Sequence, residues 1–178
     1  LKKGKLKVGD EIEIKPGMII KKAHEKIYQT ITTKILSLYK GNQSVNQVIP
    51  GVSISIETNL DPILTKSDSL TGCLVSLKGQ LPEITHSAKI KTKLFKEVLG
   101  TEDKNPVEPI KTKEMLMLSV NTTITVGIVE KIKNDVLNDT SEIELSLNIP
   151  IVALKGNNVG IARNLKGHWR LIGFGEII

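Results

Sequence analysis

The sequence has only one cysteine, Cys73, among 178 residues. A single cysteine cannot form an internal disulfide, which excludes the disulfide-stapled scaffolds of small secreted proteins and favours a reducing, cytoplasmic setting. No apolar run reaches the roughly 20 residues of a membrane-spanning helix, and residues 1–5 do not have the pattern of a signal peptide. We therefore predict a soluble cytoplasmic protein without a membrane partner.

The sequence also lacks the residue patterns of an enzyme that acts alone. It contains no G-x-x-x-x-G-K-[ST] segment, the loop whose backbone N–H groups cradle nucleotide phosphates. Its histidines, His24, His86 and His168, are far apart, and no C-x-x-C or H-x-x-x-H spacing is present to bind a metal. Cys73 lies in an apolar run, which favours a small core residue over a nucleophile. We predict no catalytic residue, no metal site and no cofactor in this chain.

Positive charge is concentrated in the first half of the chain. Residues 1–80 contain 12 basic and 7 acidic side chains, a net charge of +5, whereas residues 81–178 contain 13 and 12, a net charge of +1. A positive field raises the association rate with polyanions such as RNA. The alternative is that the lysines only form solvated faces, and the charge alone does not distinguish the two.

Short alternating runs separated by turn residues dominate the sequence. Residues 10–15 and 51–57 alternate between polar and apolar side chains, and the first of these runs is predicted to end at Pro16 and Gly17. Further apolar runs lie at 73–77, 115–120, 123–129, 143–149 and 169–174. This pattern, with abundant β-branched residues, predicts an all-β barrel or sandwich. Residues 89–99 also fit an amphipathic helix, but we favour a strand.

The best candidate for a domain boundary is the segment at residues 78–82, where glycine and proline interrupt the strand pattern and the charge balance changes. We therefore predict two domains, residues 1–80 and residues 81–178. Within the second, the polar residues 100–106 are predicted to form a loop. Within the first, residues 21–26 are predicted to form a charged hairpin tip.

A series of short motifs runs along the whole chain. In order, they are LKVGDEIEI at 6–14, KPG at 15–17, TTKILSL at 32–38, VIPG at 48–51, TNLDP at 58–62, TKSDSLTG at 65–72, LPEI at 81–84, IAR at 161–163 and HWRLIGFG at 168–175. The series resembles the gamma subunit of eukaryotic and archaeal translation initiation factor two, a translational GTPase related to elongation factor Tu. The last motif is the most specific, since it is very close to the H-W-R-L-I-G-W that the family carries near its C-terminus.

The resemblance implies two consecutive small β-barrels, translation-factor domain II in residues 1–80 and domain III in residues 81–178, without the GTPase domain. It implies that the first strands of domain II also lie outside this sequence. GTP and magnesium would bind to the missing domain, so the full-length parent would be a GTP hydrolase although this chain alone is not an enzyme. The implied activity of the parent is to bind initiator methionyl-tRNA and deliver it to the small ribosomal subunit.

The partners implied by the resemblance are initiator methionyl-tRNA, the alpha and beta subunits of the same factor, and the small ribosomal subunit. Two functions remain open for this part of the chain. It contributes to tRNA and ribosome binding, or it is a protein-interaction module in which domain II docks the alpha subunit and domain III braces the GTPase domain. A third interpretation, domains II and III of an elongation-factor type GTPase, is disfavoured by the HWRLIG motif.

The resemblance also suggests tRNA-binding candidates in one loop of the first domain. Lys66 lies where the family often has arginine, beside the expected position of the tRNA acceptor end, and its charge is suited to phosphate contact. The alternative is a solvated lysine paired with Asp68. Thr58 and Asp61 lie in the same loop, although Asp61 followed by Pro62 is also typical of a turn.

Two further groups of basic residues are candidates for an RNA-binding surface. They are Lys21, Lys22 and Lys26 in the first domain, and Arg163, Lys166 and Arg170, together with His168, in the second. An aromatic side chain among cations could stack on a base, and Trp169 lies in the second group. We favour a core position for Trp169, and the cations are then either an RNA contact or its solvated rim.

Overall fold

The computed structural model of the chain describes residues 1–22, 25–100, 105–135 and 138–178, with the backbone alone at residues 21, 22, 25 and 26. The described residues form thirteen strands and one short 3-10 helical segment, which confirms the predicted all-β class. They contain no helix long and apolar enough to cross a membrane. The chain divides into two compact units, Leu1–Pro82 and Glu83–Ile178.

The first unit is built from antiparallel strands around the long hairpin formed by β2 and β3. Its elements are β1 (Leu6–Lys7), β2 (Glu11–Lys22), β3 (Glu25–Lys40), β4 (Gln43–Val45), β5 (Gln47–Val48), β6 (Ser55–Thr58), the 3-10 segment (Pro62–Asp68) and β7 (Leu74–Leu77). One sheet has the order β4-β3-β2-β7, with β6 also paired to β3, and β1 pairs with β5. The core is small and consists of Leu6, Ile12, Ile35, Leu38 and Val48.

The break predicted at Pro16 and Gly17 is wrong, because β2 continues past both residues. The strand passes them through a shift of register against β3. Gly17 has a φ of 83°, and a Cβ at this position would lie 2.0 Å from the carbonyl oxygen of Gln29. Only glycine tolerates both the positive φ and the close approach of this oxygen. Gly17 therefore does not end the strand, as the sequence pattern predicted, but allows a tight bulge within it.

The second unit is a closed six-stranded barrel, which confirms the barrel predicted for this part of the chain. Its strands are β8 (Thr85–Leu94), β9 (Met115–Val120), β10 (Thr123–Asp135), β11 (Thr140–Ile151), β12 (Asn158–Leu165) and β13 (His168–Ile177), in the closed order β10-β11-β8-β13-β12-β9. The strand favoured for residues 89–99 is confirmed as far as Leu94. From Phe95 the chain forms an irregular loop, of which residues 101–104, within the loop predicted at 100–106, lie outside the described residues.

The interior of the barrel is filled by inward-facing aliphatic side chains from all six strands. Those below 2% exposure are Ile90, Leu116, Leu118, Val120, Val129, Ile143, Leu145, Ile151, Val159, Ile161 and Ile172. On β13 the interior has no room for a side chain at Gly175, since a Cβ there would lie 2.6 Å from Cγ2 of Ile90. This glycine allows β13 to pack closely on β8.

Two predicted core positions differ from the structure. Trp169 is half-buried and lies outside the core cluster. It pairs with the exposed Asn164 beside the turn that joins β12 and β13. Cys73 is also only half-buried, with Sγ 3.9 Å from the carbonyl oxygen of Gly17. Burial nevertheless raises the pKa of its thiol, the opposite of what a reactive cysteine needs.

Candidate nucleic-acid interface

The loop predicted to contact tRNA is shaped by its own polar side chains. The Asp61 carboxylate accepts a hydrogen bond from the backbone N–H of Ile63 at 2.9 Å and caps the 3-10 segment that begins at Pro62. The Thr58 hydroxyl accepts one from the N–H of Leu60 at 3.3 Å. Both side chains therefore organise the backbone of the loop, a role typical of aspartate and threonine at turns.

Lys66 lies at the exposed end of this loop. The next residues, Ser67 and Asp68, both have φ values near the left-handed region, 53° and 54°, so the chain turns sharply behind it. The ion pair with Asp68 considered from the sequence is not formed, and no ion pair of Lys66 is found among the residues that the structure describes. The ammonium group is thus presented to solvent on a locally ordered turn.

A residue that sequence reasoning missed connects this loop to the sheet. Thr33 of β3 is buried, and its hydroxyl donates a hydrogen bond to the side-chain carbonyl of Asn59 at 2.7 Å. The bond fixes the start of the loop to a central strand. The only available signal was the threonine at an alternating position of β3, which by itself does not identify its partner.

The lysines predicted at a hairpin tip lie on the distal part of the β2–β3 hairpin, which we call the arm (residues 18–29). The backbone register pairs Lys21 with Lys26 and Lys22 with Glu25. The side chains of these residues, and residues 23–24 altogether, lie outside what the structure describes. Closer to Gly17, the side chains of Ile19, Ile20 and Ile27 are 52%, 39% and 43% exposed. The arm therefore combines exposed apolar side chains with the lysines of its sequence.

Among the residues that the structure describes, no third strand pairs with the arm. On one side, β7 pairs with β2 only from Ile12 to Lys15. On the other, β6 and β4 pair with β3 only from Ile35 onward. An isolated two-stranded ribbon with exposed isoleucines is only marginally stable in water and gains stability when a partner covers it.

Arg163 does not belong to an exposed basic surface, which corrects the prediction from the sequence. Its side chain is only 13% exposed and forms an ion pair with Glu114. Further guanidinium N–H groups donate to the carbonyl oxygens of Glu108 at 2.9 Å and Pro109 at 3.2 Å. With these partners the guanidinium holds the segment before β9 against β12 and has little capacity left for an external ligand.

The other cations of this group do come together. Lys166 and His168 are exposed and Arg170 is half-buried, and all three line a cavity of about 580 Å³ at one end of the barrel, whose lining also includes Arg163. Apolar side chains of Val98, Pro106 and Leu165 complete its walls. Trp169 is not among the lining residues, so this cavity does not assemble the alternative considered from the sequence, in which a tryptophan stacks on a base beside these cations.

The barrel also has an apolar outer face, which sequence reasoning did not predict. It consists of side chains on β9, β10 and β13 that are 40% to 62% exposed: Met115, Ile124, Ile128, Leu171 and Phe174. Phe174 contacts Phe95, with ring centroids 5.8 Å apart. The signal in the sequence was that β9 carries apolar residues at both alternating positions, which indicates a strand covered on both faces.

Comparisons with known proteins were made for the whole chain. A family model described as "Initiation factor eIF2 gamma, C terminal" matches residues 86–177. Proteins named translation initiation factor 2 subunit gamma are similar to 98% of this chain, with 44% identity in Pyrococcus horikoshii, 45% in Pyrococcus furiosus and 41% in Methanocaldococcus jannaschii. In each case the chain spans only 41% of the length of the relative.

Proposed function

Since the chain belongs to the family of the C-terminal part of the initiation factor two gamma subunit, we propose that it is the two-barrel part of a factor that binds initiator methionyl-tRNA. The complete factor would deliver this tRNA to the small ribosomal subunit in a GTP-dependent way. The family match favours an initiation factor over an elongation-factor type GTPase. GTP, magnesium and hydrolysis are assigned to the part of the protein outside this chain.

The tRNA-binding proposal rests on the position of Lys66 in its loop. Its ammonium group is exposed and has no ion-pair partner among the described residues, and the loop that presents it is held by Asp61 and Thr33. A cation on an ordered turn loses less conformational freedom on binding a phosphate than one on a mobile tail. Lys66 is therefore the residue of this chain that we assign to the tRNA backbone.

The test is tRNA binding by the full-length factor carrying Lys66→Gln, measured over a range of salt concentrations. If the ammonium neutralises one phosphate, affinity falls and the salt slope decreases by about one. Lys40→Gln, at another exposed position of the same unit, is the matched control and should change neither. Equal affinity and equal slope for the Lys66 variant and the wild type would contradict the assignment.

A second candidate function is protein docking, and the arm favours it. Ile20 and Ile27 are paired directly across the two strands and are exposed. A ribbon of this kind binds a partner through its apolar side chains and its free edges. We propose that the arm is the surface of the first unit that docks the alpha subunit.

Calorimetry with the purified alpha subunit tests the docking proposal. Replacing both Ile20 and Ile27 with threonine keeps the strand propensity but removes apolar surface, and should weaken alpha-subunit binding by tenfold or more, equivalent to about 1.4 kcal/mol. The same change at Ile63, which is 63% exposed outside the arm, should have no effect. Full binding by the double variant would refute the arm as the docking surface.

The apolar outer face of the second unit supports the other half of this second function. Large apolar side chains are exposed on three strands of this barrel, and an exposed apolar face of a domain is typical of a protein interface. We propose that it braces the GTPase domain of the full-length factor. Leu171→Ser should then lower the melting temperature of the full-length factor more than that of this chain alone.

A further inference from the structure

Two oppositely charged side chains are buried next to each other on β2 of the first unit. Glu13 is 5% exposed and Lys15 is 8% exposed, and Nζ of Lys15 lies 3.7 Å from Oε2 of Glu13. They alternate along the strand with Ile12 and Ile14, so they lie on the opposite face of the sheet. Buried charges are costly unless hydrogen-bonding groups surround them, and the segment that covers this face must supply such groups.

This face of the sheet is covered by the backbone of residues 79–82, the connecting segment that leads out of the first unit. The N–H of Leu81 donates to Oε1 of Glu13 at 2.7 Å. The ammonium of Lys15 donates to the carbonyl oxygens of Leu81 and Pro82, both at 3.3 Å. The carboxylate of Glu13 thus accepts from a backbone N–H group, and the ammonium of Lys15 donates to backbone carbonyl oxygens. Both charged groups therefore bind the same short stretch of main chain.

The electrostatics of the carboxylate agree with this arrangement. Burial by itself raises the pKa of Glu13. The backbone N–H groups of Leu81, Gly79 and Gln80 and the charge of Lys15 act in the other direction, and the pKa ends below its usual value. The carboxylate is therefore ionised at neutral pH, and the contact with the connecting segment is a charged one.

We propose that Glu13 and Lys15 form a latch that fastens the connecting segment to the first unit, so that the hinge of the chain lies after Pro82, at residues 83–84. A segment with glycine and proline between two units is ordinarily the flexible joint itself. Here its backbone is held by a buried ion pair, and β8 begins directly after residue 84. The inference concerns the joint between the units and does not depend on the proposed tRNA or alpha-subunit binding.

Hydrogen exchange in the full-length wild-type protein tests the latch without any variant. The amide of Leu81 should exchange on the order of a hundredfold more slowly than in an unstructured peptide, since it is bonded to a buried carboxylate. The amides of residues 83–84 should exchange faster than that of Leu81. Exchange of Leu81 at the rate of an unstructured peptide would overturn the latch, and equal protection of residues 83–84 would overturn the position of the hinge.

A matched pair of variants identifies the acceptor. Glu13→Gln should accelerate exchange of the Leu81 amide about tenfold or more, because the charged acceptor is lost. Glu11→Gln removes the same charge two residues earlier on β2, where the carboxylate is 62% exposed and pairs with Lys78 at 3.1 Å, and should leave that amide within about twofold of the wild type. Exchange of Ile12 and Ile14 reports whether each variant retains the sheet. A folded Glu13→Gln protein with unchanged Leu81 protection would refute the latch.

Discussion

At the scale of single residues, a cation is available to a ligand only when its own neighbours leave its donors free. Arg163 lies in one of the motifs that carry the family resemblance, yet Glu114 and two backbone carbonyl oxygens occupy its guanidinium. Lys66 lies on an ordered loop without such a partner. The two residues therefore have different consequences when mutated: the first is expected to affect stability and the second to affect binding.

Removing the partner of Arg163 should destabilise the second unit. Glu114→Gln leaves a guanidinium that is 13% exposed without its counter-charge, and we expect a loss of about 1–3 kcal/mol in the free energy of unfolding. Glu130→Gln is the control, because its ion pair with Lys113 is exposed and should contribute less than about 1 kcal/mol. Urea denaturation followed by circular dichroism measures both. Equal losses would show that Arg163 is not a structural cation.

Glu13 predicts how the stability of the first unit depends on pH. Its pKa in the folded state is lower than the usual value of 4.5, so the unfolded state binds protons more readily. The stabilisation is fully present above that usual pKa and is lost as the pH falls through the folded-state pKa. Between pH 6 and pH 3 the wild type should thus lose more unfolding free energy than Glu13→Gln, whereas Glu11→Gln should follow the wild type. Parallel pH profiles for the wild type and Glu13→Gln would contradict this.

At the scale of elements, the β2–β3 hairpin joins three functions in one long strand pair. The first part of β2 contributes Ile12 to the small core and carries the proposed latch, the strand passes Gly17 through a shift of register, and the arm beyond it is the proposed docking surface. The bulge determines where the supported sheet ends and the arm begins. Its geometry depends on a single residue without a Cβ.

Gly17→Ala should therefore disrupt this hairpin. The added Cβ would lie 2.0 Å from the carbonyl oxygen of Gln29, and the residue would have to keep a φ of 83°. We expect at least about 3 kcal/mol of lost stability in the first unit, from the steric overlap together with the backbone strain. Gly41→Ala is the control, since Gly41 also has a positive φ but no atom within 4 Å of the added Cβ, and it should cost about 1 kcal/mol. Denaturant unfolding of both variants measures the two losses in the free energy of unfolding and tests this difference.

The sequence was sufficient to predict the elements of this fold where local pattern determines them. The apolar runs predicted parts of β9, β10, β11 and β13, whereas β12 was not predicted and β8 was covered only by the ambiguous stretch at residues 89–99. The alternation of polar and apolar residues does not show which side chains contact each other in the folded chain. The contacts of Thr33 with Asn59 and of Arg163 with Glu114 could therefore not be predicted. For the same reason the position of Trp169 outside the core cluster was missed, because a short apolar run does not show which of its alternating faces lies inside.

At the scale of the whole molecule, the two units differ in how much apolar surface they bury among the described residues. Fourteen buried side chains form the core of the barrel, whereas five form the core of the first unit. The barrel is closed, and the first unit has the free edges and the exposed arm. Burial of apolar side chains is the main favourable contribution to folding, so the first unit should be the less stable of the two.

This difference predicts two separate unfolding transitions in the 178-residue chain, and the distribution of aromatic residues allows them to be distinguished. Trp169 is the only tryptophan and lies in the second unit, so its fluorescence reports on the barrel alone, while far-ultraviolet circular dichroism reports on both units. With increasing urea, circular dichroism should show a first transition that the fluorescence lacks, followed by a second transition common to both signals. Gly17→Ala should shift only the first transition, and Glu114→Gln only the second, because each change lies within one unit. Coincident transitions in both signals would contradict this prediction, since they would mean that the two units unfold together.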